Sequence, residues 1–188
     1  MILSILAYGD PVLRKAGAEI DKNYPDLQKL IADMFETMAN AKGVGLAAPQ
    51  VGKSIRLFIV DGSLFAEEDE HPELKYFRKI FINARIVEEK GEEWSYNEGC
   101  LSIPKIRENV NRLPAIRIKY FDENFVEHED GFTGIPARII QHEHDHIEGK
   151  LFVDRIKPLR RTLLKSRLND ISRGNVEVNY KMKFPLKK

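Results

Sequence analysis

A chain of 188 residues, 43% hydrophobic and 31% charged, is long enough to bury a sizeable core and has the balance of an ordinary globular domain. It holds no run of about 18 apolar residues, so no membrane-spanning helix is expected, and its single cysteine, Cys100, excludes an intramolecular disulfide. The net charge of +1 hides an asymmetry: residues 157–188 carry +8, from ten Lys/Arg against Asp170 and Glu177, which leaves −7 on the rest of the chain.

The N-terminal stretch MILSILAYGD turns polar early and has no basic leader, so no secretory or transit segment is expected and the cytoplasm is the expected compartment. Pro25 is placed to open an amphipathic helix. Leu27, Leu30, Ile31, Met34, Phe35 and Met38 follow helical spacing, and Gly43 can stop it. The next segment, GVGLAAPQVG (43–52), is too rich in glycine and too small for a regular element. Residues 55–60 read as a strand and the acidic stretch 61–78 as a surface loop. Further strands are predicted at 79–89, 109–121 and 125–129, with Asp122, Glu123 and Asn124 as the turn between the last two. A second helix is predicted at 135–148, with Pro136 in its first turn and Gly149 past its end. A third, near 159–172, carries Leu159, Leu163, Leu164, Leu168 and Ile171 and stops at Gly174. The segment 176–184 reads as a short strand. No repeat or linker interrupts the chain, so one compact α+β domain is expected.

Residues 141–149 read QHEHDHIEG and contain His142-Glu143-x-x-His146. Residues four apart on a helix lie about 40° apart in projection, so both imidazoles can reach one metal ion. Glu143, about 100° round from His142, can reach a water on that ion. His144 is about 200° round and is excluded as a ligand. Ile135, Ile139, His142 and His146 continue one stripe, which aims the histidine pair at the core, where two neighbouring imidazoles need a partner. A catalytic site of this kind needs a third protein ligand. No histidine follows His146, Glu148 is too close on the same helix, and Glu177 lies in the tail. Cys100, within EGCLSIP, is the best remaining candidate, because a thiolate binds transition metals strongly.

Three stretches in series, GVGLAAPQ (43–50), EGCLSIP (98–104) and QHEHDHIEG (141–149), resemble the signature motifs of the peptide deformylases in order and spacing. The resemblance covers residues 1–157, which makes these the expected catalytic domain. Residues 158–188 then form a basic helix and tail packed on, or extending from, the same domain. The resemblance implies antiparallel strands packed around a central HExxH metal-binding helix. It implies hydrolysis of the N-formyl group from the formyl-methionine of nascent chains. It also implies Cys100, His142 and His146 as ligands, usually of Fe(II), with zinc, nickel or cobalt able to take the same site. Glu143 is then the general base, and the Gln50 side-chain amide and the Leu101 N–H are the oxyanion donors. Gly43, Val44 and Gly45 correspond to an edge that pairs with substrate backbone. Val44, Tyr96, Ile135 and Ile139 are candidates for the methionine pocket, and Arg107 for the side of the channel. Arg112 and Asp145 stand where the family has a structural ion pair, and Ile147 where it more often has leucine. A family of this activity makes the ribosome a plausible partner for the basic tail. Leu159, Leu163 and Leu168 would then pack on the body, leaving Arg160, Arg161, Lys165 and Arg167 free to face outward. Two other classes share some of these features. A zincin-type metalloprotease also has HExxH but takes a downstream third ligand, and a structural metal module normally uses four protein ligands.

Overall fold

The apolar stripe that begins at Leu27 forms helix α1 (Leu27–Asn40) in the computed structural model, which describes residues 1–64, 71 and 74–186. Leu27, Leu30, Ile31, Met34, Phe35 and Met38 are all buried along one face. Pro25 does not open the helix: Asp26 takes a left-handed conformation (φ 52°), and the helical turn starts after it.

Five antiparallel strands make the main sheet: β2 (Gly45–Ala47), β3 (Leu57–Asp61), β4 (Arg78–Lys90), β7 (Ala115–Phe121) and β8 (Glu127–Thr133), in that spatial order. Strand alternation explains β7 directly, since Ile116, Ile118 and Tyr120 point inward while Arg117 and Lys119 point outward and pair with Glu129. A separate hairpin joins β5 (Trp94–Cys100) to β6 (Ile103–Arg112). The chain's two ends meet in a parallel pair, β1 (Ile5–Leu6) with β9 (Met182–Lys183).

The structure corrects several expected boundaries. Residues 45–47 form a strand, and a 3-10 turn follows at Ala48–Val51, so 43–52 is not wholly irregular. The expected strand 109–121 is two strands, broken around Leu113 and Pro114, where proline has no N–H for the ladder. Strand β5 was not anticipated, and β8 runs on to Thr133. Of the acidic stretch 61–78, Leu74 is buried in the core rather than on the surface, while 65–70 and 72–73 lie outside the described residues.

Helix α2 (Gly134–Ile147) packs against β2, β3 and β8, burying Ile135, Ala137, Ile139, Ile140 and Ile147. Its far end is closed by Gly149 at φ +72°, where an added Cβ would meet the Arg14 carbonyl carbon at 2.9 Å. Helix α3 (Pro158–Arg173) buries Leu164, Leu168 and Ile171 against Ile103, Ile106 and Val110 of β6. The segment after residue 157 is therefore packed on the same core, and the whole is one α+β domain. Two expectations for α3 fail. Leu159 and Leu163 are 72% and 63% exposed, because Leu164, Leu168 and Ile171 occupy the face that meets β6. Nor are the arginines free: Arg160 pairs with Glu108, Arg161 pairs with Asp154, and Arg167 donates to the Lys105 carbonyl. Among the described residues no helix is long and apolar enough to cross a membrane.

This packing predicts that Leu168→Ala lowers unfolding free energy by about 2–5 kcal/mol, while Leu159→Ala stays within about 0.5 kcal/mol of wild type. Denaturant titration of both variants measures the contrast, and equal losses would put Leu159 in the core.

Candidate active site

Helix α2 carries His142 and His146 on successive turns of one face, and β5 ends at Cys100 directly opposite. The Cys100 Sγ lies 3.3 Å from His146 Nε2. The ligand atoms of Cys100, His142 and His146 all fall within 4.8 Å of one another. Donors about 2.0–2.3 Å from one tetrahedral ion sit about 3.5 Å apart, so the cluster has the right span to hold a metal. His142 Nδ1 contacts Glu98 Oε2 at 2.9 Å, a bond that holds a proton on Nδ1 and turns Nε2 toward the cluster. Burial lowers the His142 pKa, but bonds to Cys100 and Glu98 outweigh it and raise the pKa well above its ordinary value, so metal binding at Nε2 must displace a proton. Burial holds the His146 pKa well below its ordinary value, so that ring stays neutral. Among the described residues the cluster offers three protein donors, which leaves a fourth position for water or substrate, as a catalytic rather than structural site requires. His144 is not part of the cluster. It is held near Glu148, and burial lowers its pKa to about 4.

Glu143 lies between these histidines in sequence and faces the same cavity, a space of about 720 Å³ between β2, the β5–β6 hairpin and α2. The carboxylate is buried, and its Oε2 has no hydrogen-bond partner among the described residues. Burial pushes its pKa up to about 7. The side chain lies against Gly45, where an added Cβ would sit 2.7 Å from the carboxyl carbon, so any larger residue there must displace Glu143. Gln50, in the 3-10 turn after β2, is fixed by its own amide oxygen, which accepts from the Ala47 N–H at 2.8 Å. Its Nε2 is thereby aimed at the cluster, 3.2 Å from Ser102 Oγ and 3.5 Å from Cys100 Sγ.

The polypeptide deformylase family model matches residues 2–162. The chain belongs to the peptide deformylase family. It is 54% identical to a peptide deformylase of Christiangramia forsetii, over 98% of this chain and 97% of that one. It is 53% identical to that of Cytophaga hutchinsonii over the full length of both. Among solved structures, a Legionella pneumophila peptide deformylase superposes with a TM-score of 0.80 at 37% identity, covering 93% of this chain and 98% of that one. A Thermotoga maritima peptide deformylase superposes with a TM-score of 0.75 at 39% identity, covering 84% and 99%. The activity is thus hydrolysis of the N-formyl group from nascent formyl-methionyl peptides by a metalloenzyme, and the metalloprotease reading falls.

In this deformylase the cavity wall includes Gly43, Val44, Gly45, Tyr96, Arg107 and Ile139. Ile135 is not on that wall; it is buried behind it, in the core cluster against which Val44 and Tyr96 pack. Arg107 is exposed and held by Asn97, donating to its side-chain oxygen at 2.8 Å and its carbonyl at 2.6 Å. Arg112 is buried and donates to Asp145 at 2.8 Å.

Sequence reasoning missed the residue to which most of these are tied. Glu98 is buried and accepts two bonds from Arg112 (2.7 and 3.0 Å), one from Arg138 (3.0 Å) and one from His142. Burial alone would raise its pKa, but His142 and Arg112 outweigh burial and hold it well below the carboxylate range. Arg138 is itself stacked over the Trp94 ring, 4.5 Å from its centroid. Two spacings carried the signal: Glu98 and Cys100 are two apart on a strand, and Arg138 and His142 are four apart on a helix. Glu98→Ala should leave the buried Arg138 guanidinium without a carboxylate and Arg112 with Asp145 alone, and cost about 3–5 kcal/mol of stability. Metal affinity should fall by about 10–100-fold. Chemical denaturation and competitive chelation measure the two effects, and a variant unchanged in both would remove Glu98 from this role.

Proposed function

We propose that Cys100, His142 and His146 hold one transition-metal ion, Fe(II) in the native enzyme, and that Glu143 is the general base for formyl hydrolysis. The observation that carries this reading is the convergence of the Cys100 sulfur and two imidazole nitrogens beside a buried carboxylate whose Oε2 has no hydrogen-bond partner among the described residues. Thiolate and imidazole donors suit several transition ions, so zinc, nickel and cobalt can take the same site. When bound, the ion supplies Lewis acidity for the formyl oxygen and for a water.

The protein groups divide the remaining work. Among the described residues strand β2 pairs on one side only, with β3. Its other edge, at Gly45 and the preceding Gly43 and Val44, offers an incoming peptide, regardless of side-chain sequence, the backbone groups not already bonded to the Met38 carbonyl and the Asp61 N–H. The methionine side chain enters the apolar part of the cavity beside Val44, Ile139 and Tyr96, and Arg107 flanks the path of the following residues. As water attacks the formyl carbon, Glu143 takes its proton and then returns it to the departing amine. Oxygen becomes negative at that carbon, and the Gln50 Nε2 and the Leu101 N–H donate to it, each worth about 3 kcal/mol in the transition state.

The two assignments separate experimentally. Cys100→Ser should lose metal and turnover together, since a hydroxyl is a poor ligand for a soft ion. Glu143→Gln should keep metal and substrate affinity but lose at least about 10² in kcat. Metal content by emission spectroscopy on anaerobically purified protein, with formate release from formyl-Met-Ala, tests both. A Cys100→Ser variant with full metal, or a Glu143→Gln variant at wild-type rate, overturns the corresponding role.

We further propose a cytoplasmic enzyme that meets the ribosome through its basic C-terminal segment. Nascent formyl-peptides begin in that compartment, a reducing environment protects Cys100, and Lys157, Lys165 and Arg173 are exposed along α3. Attraction to ribosomal RNA should be largely electrostatic and fall steeply with salt. Co-sedimentation at low salt should be lost when Lys157, Lys165 and Arg173 are all replaced by Glu, with turnover of a free formyl-peptide unchanged. Equal sedimentation of both proteins at low and high salt would dismiss the interaction.

A further inference from the structure

The segment after α3 does more than end the chain. Beyond Gly174 it turns back, and β9 pairs with β1, with the Ile5 N–H donating to the Lys181 carbonyl and the Ala7 N–H to that of Lys183, both at 2.9 Å. This pairing carries residues 178–180 to the wall of the catalytic cavity. These residues lie beyond 2–162, the span that the family model matches. Tyr180 is only partly buried as a residue, but its hydroxyl donates to the Leu101 carbonyl at 2.8 Å. Its ring packs in the core cluster that also takes the Leu101 side chain.

Leu101 and Ser102 form the two-residue turn between Cys100 and Ile103, which pair across the hairpin. Three groups outside the hairpin hold that turn. Tyr180 holds the Leu101 carbonyl, the Tyr8 N–H donates to the Ser102 carbonyl at 2.8 Å, and Gln50 donates to the Ser102 hydroxyl at 3.2 Å. Two of the three clamps bear on Ser102; Tyr180 alone of these bears on Leu101. We infer that Tyr180 is a positioning residue for catalysis, fixing the Leu101 turn so that the Leu101 N–H points at the developing oxyanion. The inference rests on the reading of Leu101 as an oxyanion donor. Freed of its hold on the Leu101 carbonyl, the peptide unit on either side of Leu101 can rotate. A misplacement of about 1 Å in a catalytic group can cost up to about 10² in rate. A donor that matters only in the transition state shows its loss in kcat rather than in KM.

The test is Tyr180→Phe in the full-length, metal-loaded enzyme, with formate release from formyl-Met-Ala as the assay. The ring and its packing remain, so metal content should match wild type and the thermal midpoint should fall by no more than about 4 °C, the cost of one hydrogen bond. We expect kcat to fall about tenfold with KM within about twofold. Gln50→Ala in the same assay removes the other proposed oxyanion donor, together with its bond to the Ser102 hydroxyl, and leaves the Tyr180 clamp in place. A fall in kcat for Gln50→Ala with none for Tyr180→Phe overturns the role of Tyr180 and leaves the oxyanion reading standing. No fall for either overturns both. A Tyr180→Phe loss confined to KM would make the residue a wall of the peptide groove and overturn the inference, as would a loss accompanied by release of metal.

Discussion

The carboxylate of Glu98 joins the two pieces of chain from which the site is made. It sits on β5, two residues before Cys100, and binds His142 and Arg138 of α2 and Arg112 of β6. Taking a carboxylate and two guanidiniums out of water costs several kcal/mol per ion, and attraction between them offsets that cost only when the geometry is good. Here every Glu98 oxygen is engaged, and Arg112 continues to Asp145, which also takes Arg155. Such a network does little for stability that apolar residues would not do. What it supplies is register: the hairpin cannot slide along α2 without breaking several charged hydrogen bonds at once. Since Cys100 rides on the hairpin and His142 and His146 on the helix, that register sets the geometry of the candidate metal site.

The other wall of the cleft is governed by space rather than charge. Gly45 lets the Glu143 side chain lie against backbone, and this same close approach leaves β2 without side-chain bulk beside the cavity. A strand of three residues then turns at once into the 3-10 segment that carries Gln50. Because the Gln50 amide oxygen is committed to the Ala47 N–H, its orientation is set by the strand that would pair with substrate. On the proposed mechanism, substrate alignment and oxyanion stabilisation therefore share one short stretch, Gly45–Gln50.

The legible parts of this chain were those with a long period. Fourteen residues of α2 display the helical stripe that aims His142 and His146 inward, and α1 is equally plain. Strand β2 was hidden because three residues give no alternation to detect. Strand β5 was hidden for a different reason: its inward face runs Trp94, Tyr96, Glu98, Cys100, so the buried charge that organises the site spoils the hydrophobic pattern of the strand that bears it. The two stripes of α3 show a further limit. Leu159 with Leu163, and Leu164 with Leu168 and Ile171, are both acceptable helical faces. Only the position of β6 decides between them, and that is information about a partner element fifty residues away. The ion pairs of Arg160 and Arg161 follow from the same docking and were out of reach for the same reason.

The meeting of the chain ends has a kinetic side. Strands β1 and β9 have two residues each, too few to hold together alone. They persist because flanking residues anchor them: Tyr8 on the Ser102 carbonyl, Tyr180 on the Leu101 carbonyl, and Ser172 on the Tyr8 carbonyl at 2.8 Å. Closing a loop of nearly the whole chain carries an entropy cost that these few bonds repay only after the intervening core exists. The hairpin, α2 and the main sheet involve shorter separations and can form before it. The proposed metal ligands all lie in the body of the domain, while the turn that carries Leu101 receives its Tyr180 clamp only when the last residues have docked. On the proposed reading, a chain that still lacks its tail would hold all three ligand side chains in place and yet present a loosened Leu101 turn.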